Sequence, residues 1–160
     1  MTRGRTWWTR SADCVLAEDV PAPPEAVRDF YVDLRNIREV HPLVVSVRPT
    51  DRVRLRDGYV QSYRVRDRIR LGRLTVGVTY TATLTVPDAG DVLTEARQFP
   101  HVRLDGVVSF EPSAGGTRVT ERLRVVAPAP LASVTVRQAT AAHVEMLAGI
   151  RRRFAQPTGR

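Results

Sequence analysis

Residues 130–156, PLASVTVRQATAAHVEMLAGIRRRFAQ, read as one long amphipathic helix. Val136, Thr140, His143, Leu147, Ile150 and Phe154 recur at intervals of three and four. That spacing puts them on one side of an α-helix. Pro128 and Pro130 open the segment and Pro157 stops it, since proline is tolerated in a first turn but not further in. About 26 residues at a rise of 1.5 Å span ~39 Å, enough to cross a curved sheet. One helix of this kind must bury its stripe against something, and the rest of the chain says what.

Upstream, back to about Leu43, the period is two. Tyr59, Gln61, Tyr63, Val65, Asp67, Ile69 and Leu71 fall on one side of a strand, with Val60, Ser62, Arg64, Arg66, Arg68 and Arg70 on the other. After Gly72, Leu74, Val76, Val78, Tyr80, Ala82, Leu84 and Val86 oppose a threonine-rich row. This is the pattern of an antiparallel sheet with one packed and one wet face. Residues 92–99 and 102–111 read as further strands, and Gly115-Gly116 as a hairpin turn. In the last strand Val119, Glu121, Leu123 and Val125 share a face. Before the meander, residues 12–20 form a first strand. Pro21, Pro23 and Pro24 then lead into a helix over residues 25–33, and a second short helix over 37–40 has Asn36 as its cap. Strand, two short helices, about six strands and one long helix make an α+β domain.

The length of 160 residues suits a single domain. We expect residues 1–11 to be a flexible basic lead carrying Trp7 and Trp8, 12–156 the domain, and 157–160 a tail. Cys14 is the single cysteine, so an intramolecular disulfide is excluded; its phase makes it a buried, inert thiol. No apolar run approaches the ~18 residues of a membrane span, and the first ten residues have no apolar core like that of a secretory signal. A cytoplasmic location follows as the expectation. The net charge of +8 comes from 25 basic residues, all of them arginine. Arginine without lysine fits a GC-rich coding sequence better than selection for phosphate contacts. No basic segment interleaved with aromatics appears, so nucleic-acid binding is not expected.

The stretch VPAPPEAVRDFYVDLRNIREVHPLVVSV at residues 20–47, the segment GGTRVTERLRV at 115–125 and the long final helix together resemble the SRPBCC superfamily, also called START-like, in its polyketide cyclase/dehydrase branch. The resemblance covers about residues 12–154. It implies the helix-grip fold, a curved antiparallel sheet of about seven strands around the C-terminal helix. It further implies a cavity between helix and sheet that holds an apolar or aromatic molecule.

Phase places several polar groups toward that space. Tyr63 and Asp67 face it from one strand, Tyr80 from the next and Glu121 from the last, with Thr140 and His143 coming from the helix. A buried carboxylate is costly unless paired or protonated, so Asp67 and Glu121 need partners or raised pKa values. Each group also has a plain structural reading: a satisfied core histidine, a packed tyrosine, a salt-bridged carboxylate. Read as chemistry, Tyr80, His143 and Glu121 form a catalytic set, with Tyr80 orienting or donating and His143, poised by Glu121, moving a proton. Tyr63, Asp67, Thr140, Val78, Leu123 and Leu147 would line the ligand site. His41, after the second helix, lies in this fold near the cavity entrance. The three histidines lack metal-ligand spacing, so neither metal nor other cofactor is expected.

The resemblance supports a binder of hydrophobic or polycyclic small molecules, acting as a polyketide cyclase or aromatase by aldol closure and dehydration. A lipid or metabolite carrier and a regulatory or interaction protein remain the alternatives. The arginine row on residues 64–70 is either a solvated face or a dock for an acidic partner such as an acyl carrier protein. A monomer and a homodimer are equally compatible with the sequence.

Overall fold

Period-two alternation becomes seven antiparallel strands. A computed structural model describes residues 8–157. Its elements run β1 (Thr9–Val20), α1 (Pro24–Val32), α2 (Leu34–Val40), β2 (Val44–Leu55), β3 (Gly58–Leu71), β4 (Leu74–Pro87), β5 (Val92–Gln98), β6 (Val102–Ser113), β7 (Gly116–Pro128) and α3 (Ala132–Ala155). The sheet order is β1-β7-β6-β5-β4-β3-β2. Neighbours from β2 to β7 are joined by short turns, as a meander requires, and β1 closes beside β7. This is the helix-grip fold.

Local chemistry sets the corners. At Gly58, where β3 begins, φ is +140°, and a Cβ there would lie 2.3 Å from the Val86 carbonyl oxygen, so only glycine lets the two strands approach. Asp33, not Asn36, caps α2: its side chain accepts from the Arg35 N–H. Asn36 sits inside α2 and donates to the Phe30 carbonyl. The expected boundary of the lead also moves. Thr9, Arg10 and Ser11 belong to β1, where they pair with Pro128, Ala127 and Val126, because β7 is long enough to offer them a ladder. Trp8 sets its ring edge-on to His101, 4.5 Å between centroids; Trp7 lies outside the described residues.

The interior is not one continuous core. Val20, Val27, Ile37, Val108, Val119, Leu147 and Ile150 cluster where α1, α2 and the C-terminal half of α3 meet the sheet. Tyr63, Val65, Leu84, Val86 and Val92 form a second cluster on β3, β4 and β5. Val102, Ala127 and Ala132 form a small third one under the start of α3. Close packing would normally merge such groups. Here Leu34 and Phe110 pack against both the first and the second cluster, and a cavity opens among all three.

Candidate active site

The cavity lies between α3 and the concave face of the sheet, with a volume of about 180 Å3. Its walls take residues from all three clusters: Tyr31, Ile37 and Met146 from the first, Val65, Ala82 and Leu84 from the second, Val102 from the third. Leu123 lines it from β7, Thr135, Gln138, Ala139 and Ala142 from α3, and Thr94, Glu95 and Gln98 from β5. The surface is mainly apolar with a few polar groups, the usual make-up of a small-molecule site.

Those polar groups form two hydrogen-bonded units that converge on one space. In the first, Glu121 is fully buried. Its Oε1 accepts from the Tyr31 hydroxyl at 3.2 Å and pairs with His143 Nδ1 at 2.9 Å. With Oε1 accepting, Nδ1 carries the hydrogen, so Nε2 is the nitrogen left to exchange a proton with a ligand. Burial, the largest influence, opposes charge on His143. The Glu121 charge and hydrogen bond, joined by Asp67, together outweigh it and hold the pKa above that of an ordinary imidazole. Tyr31 is pushed well above the usual phenol by burial and then by Glu121, so it stays a donor. Glu121 Oε2 is buried without a hydrogen-bond partner among the described residues.

In the second unit the Tyr80 hydroxyl donates to Asp67 Oδ1 at 3.2 Å. Burial raises the Asp67 pKa to about 6, with the Tyr80 hydrogen bond and His143 pulling the other way. Burial and then Asp67 raise Tyr80 well above its usual value.

His41 joins from the C-terminal end of α2. Its ring stands edge-on to His143, 5.6 Å between centroids. The Leu43 N–H donates to His41 Nδ1 at 3.3 Å, which fixes the hydrogen on Nε2. Burial and then His143 depress its pKa to about 3, so His41 is a neutral imidazole and its Nε2–H is a donor.

The structure thus brings Tyr80, Asp67, His41, His143 and Leu123 to the cavity wall, and sets Glu121 behind His143. Four expected lining residues lie elsewhere. Tyr63 is buried, but its hydroxyl donates to the Val32 carbonyl, 3.3 Å, because the α1–α2 junction folds over that part of β3. Leu147 is packed in the first core cluster. Thr140 faces β1, its hydroxyl 3.8 Å from the Cys14 sulfur. The buried stripe of α3 is broad, and the cavity lies along its Thr135, Gln138, Ala142 and Met146 flank instead. Val78 lies on a stretch of β4 that extends past the β5 ladder, which starts at Thr81; it lines no wall. Sequence reading missed Thr94, Glu95, Gln98, Thr135 and Gln138 on the cavity wall, and Tyr31 in the first unit. The spacing of Tyr31 from Val27 placed it on the apolar face of α1, and the signal was its hydroxyl, which needs a partner once buried.

Asp67 makes stability pH-dependent with a definite sign. Its folded pKa stands above the ordinary 3.8, so folding favours the protonated form. Its contribution is full below about pH 4 and is lost as the pH rises through 6. Asp67→Asn removes this loss while keeping an acceptor for Tyr80. Urea titrations should show the variant gaining on the parent by about 2–3 kcal/mol between pH 4 and pH 7. A difference that stays flat with pH would mean that Asp67 ionises normally.

Among the described residues, no group of three or more His, Cys, Asp or Glu is placed to hold a metal ion. No helix there is long and apolar enough to cross a membrane.

A curved meander gripped by one long helix over a polar-spotted cavity defines a helix-grip domain. Residues 12–156 match the family model described as polyketide cyclase/dehydrase and lipid transport, and the chain belongs to that family. Solved structures share the fold. TTHA0849 from Thermus thermophilus aligns with a TM-score of 0.69 at 19% identity, over 91% of this chain and 97% of that one. The Zhui aromatase/cyclase from Streptomyces sp. R1128 gives 0.69 at 13%, over 94% and 98%. The di-domain aromatase/cyclase StfQ of the steffimycin pathway gives 0.71 at 12%, over 91% of this chain and 50% of that one. No curated protein matches by sequence.

Proposed function

We propose that this chain binds a compact, oxygen-bearing hydrophobic molecule in its cavity and acts on it as a polyketide cyclase or aromatase. One observation carries the reading: His143, hydrogen-bonded through Nδ1 to a buried carboxylate, stands beside a second imidazole, His41, on the wall of an apolar cavity. Aldol closure needs that pairing. His143 Nε2 takes a proton from the carbon between two carbonyls. The enolate carbon attacks a second carbonyl and forms the C–C bond. The new alkoxide takes up a proton from the imidazolium, and loss of a further carbon-bound proton with the hydroxyl releases water. His41 Nε2–H is suited to stabilise the enolate or alkoxide oxygen. Tyr80 commits its proton to Asp67, so its role toward ligand is to orient and to accept.

Volume limits what is held. An apolar cavity of about 150 Å3 takes a benzene ring, so about 180 Å3 encloses little more than one ring. In this reading a single ring forms inside and the rest of the chain stays outside. An acyl carrier protein as supplier of a tethered chain belongs to the same proposal.

Carriage of a lipid or metabolite is the second reading, favoured by the apolar walls, with the same polar groups holding orientation alone. The test is incubation with a synthetic poly-β-ketone thioester, followed by native mass spectrometry. Ring closure with loss of water, slowed about tenfold in Tyr80→Phe, supports catalysis. An intact bound ligand with no conversion by the parent protein replaces catalysis with carriage.

A further inference from the structure

The outer face of the sheet is divided in charge. On β1, β5, β6 and β7 several arginines have acidic partners, Arg103 with Asp105 at 2.8 Å, Arg118 with Asp19 at 2.8 Å and Arg124 with Asp13 at 3.7 Å, while Arg122 stands between Val15 and Val107. On β3, Arg64, Arg66, Arg68 and Arg70 are exposed, and none of their guanidinium groups makes a hydrogen bond or ion pair with a described residue. The register explains why. Arg66 stands opposite Thr79 and Ser46, Arg68 opposite Gly77, and Arg70 opposite Thr75. Hydroxyls and a glycine replace the acids found on the other half. Arg64 even faces Arg48 across the β2–β3 ladder, a pairing that costs stability on its own.

Within this row the backbone builds a groove. The β2 register slips between Val44 and Ser46, leaving Val45 as a bulge. Beside it lies a groove of about 420 Å3, walled by Ser46, Arg66, Arg68, Thr75 and Gly77. Asp67, between the two arginines, commits its carboxylate to the Tyr80 hydroxyl. Gly77 interrupts the threonine row of β4, and the Arg66 guanidinium lies over it: Nη2 stands 3.4 Å from where a Cβ would be, in van der Waals contact with that position. Two guanidinium forks two residues apart on one strand face are about 7 Å apart at their roots, close enough for their ends to converge.

We propose that this groove is a binding site for a phosphate group. Two arginines supply two positive charges and planar, two-pronged donors that match phosphate oxygens, and the Ser46 and Thr75 hydroxyls add neutral donors. A lone carboxylate would use one fork and leave the other unpaired. The site lies on the opposite side of the sheet from the cavity, and the inference does not depend on the chemistry proposed there. A soluble phosphate ester and a phospholipid headgroup both present this chemistry.

The test is an NMR titration of the labelled full chain with glycerol 3-phosphate at low salt. Shifts should centre on the amides of Ser46, Arg66, Arg68 and Gly77. Arg66→Gln together with Arg68→Gln should weaken binding more than about tenfold, while Arg103→Gln leaves it unchanged. Gly77→Val keeps the net charge but sets branched methyls against the Arg66 guanidinium, and should weaken binding about fivefold or more. Co-sedimentation with phosphatidylglycerol vesicles, sensitive to the same variants, assigns the lipid source; its absence alongside the NMR shifts assigns a soluble ester. Shifts spread over all exposed arginines, or unchanged binding in Gly77→Val, would overturn the proposal and leave only bulk positive charge.

Discussion

Glu121→Leu should destabilise the fold by about 3–5 kcal/mol, read as a lower urea midpoint at constant slope. Glu121 is fully buried on β7, and its Oε1 serves two donors, the Tyr31 hydroxyl and His143 Nδ1–H. Leucine fills the volume but leaves both donors without an acceptor, at about 1–3 kcal/mol each. Glu121→Gln should cost less, about 1–2 kcal/mol, because the amide oxygen still accepts. The contrast isolates the hydrogen bonds from the packing. Adding Tyr31→Phe to Glu121→Leu removes one of the stranded donors, so the double variant should be more stable than the sum of the single losses implies. A Glu121→Leu protein within about 1 kcal/mol of the parent would mean that water reaches the pair and that Glu121 holds nothing in place.

Much of this pairing was legible before any coordinates. Strict alternation on β7 puts Glu121 on the same face as Val119 and Leu123, and spacing on α3 puts His143 on the buried side, so strand and helix phase alone bring them into one space. The same rule places Asp67 and Tyr80. Phase fixes a face, however, and neither the depth along an element nor the flank of a broad stripe. Tyr63 and Leu147 share the inward face with cavity residues, yet lie under the α1–α2 junction and in the core. Thr140 and Ala139 are neighbours on α3, but the first turns to Cys14 and the second to the cavity. A rotation of about 100° separates them, comparable with the width of the buried stripe. His41 poses a different problem. Its role depends on which nitrogen carries the hydrogen, and that is decided by the Leu43 backbone N–H in a bend that sequence patterning cannot orient. The unpaired charge of the arginine row was equally hidden, since pairing depends on register across strands far apart in sequence.

On the proposed cyclisation, His143→Ala should reduce kcat/KM by about 10²–10⁴-fold, the range lost when a positioned proton-transfer group is removed. The fold should tolerate the change better than it tolerates Glu121→Leu, because the vacated space adjoins an existing cavity rather than close-packed side chains. That space also permits a test that a purely structural histidine would fail: free imidazole added to His143→Ala should enter it and restore part of the rate. The pH profile carries a second signature. Glu121 holds the His143 pKa above the ordinary value, so in the parent the base form appears only as pH rises through that raised pKa, and the rate should climb accordingly. Removing the charge with Glu121→Gln leaves burial unopposed except by Asp67, and the rise should move to lower pH. His41 cannot take over, since its depressed pKa of about 3 makes it too weak a base near neutrality while leaving its Nε2–H intact as a donor. Full activity in His143→Ala, or a pH profile that Glu121→Gln does not move, would remove proton transfer from this histidine and reduce the cavity to a holding site.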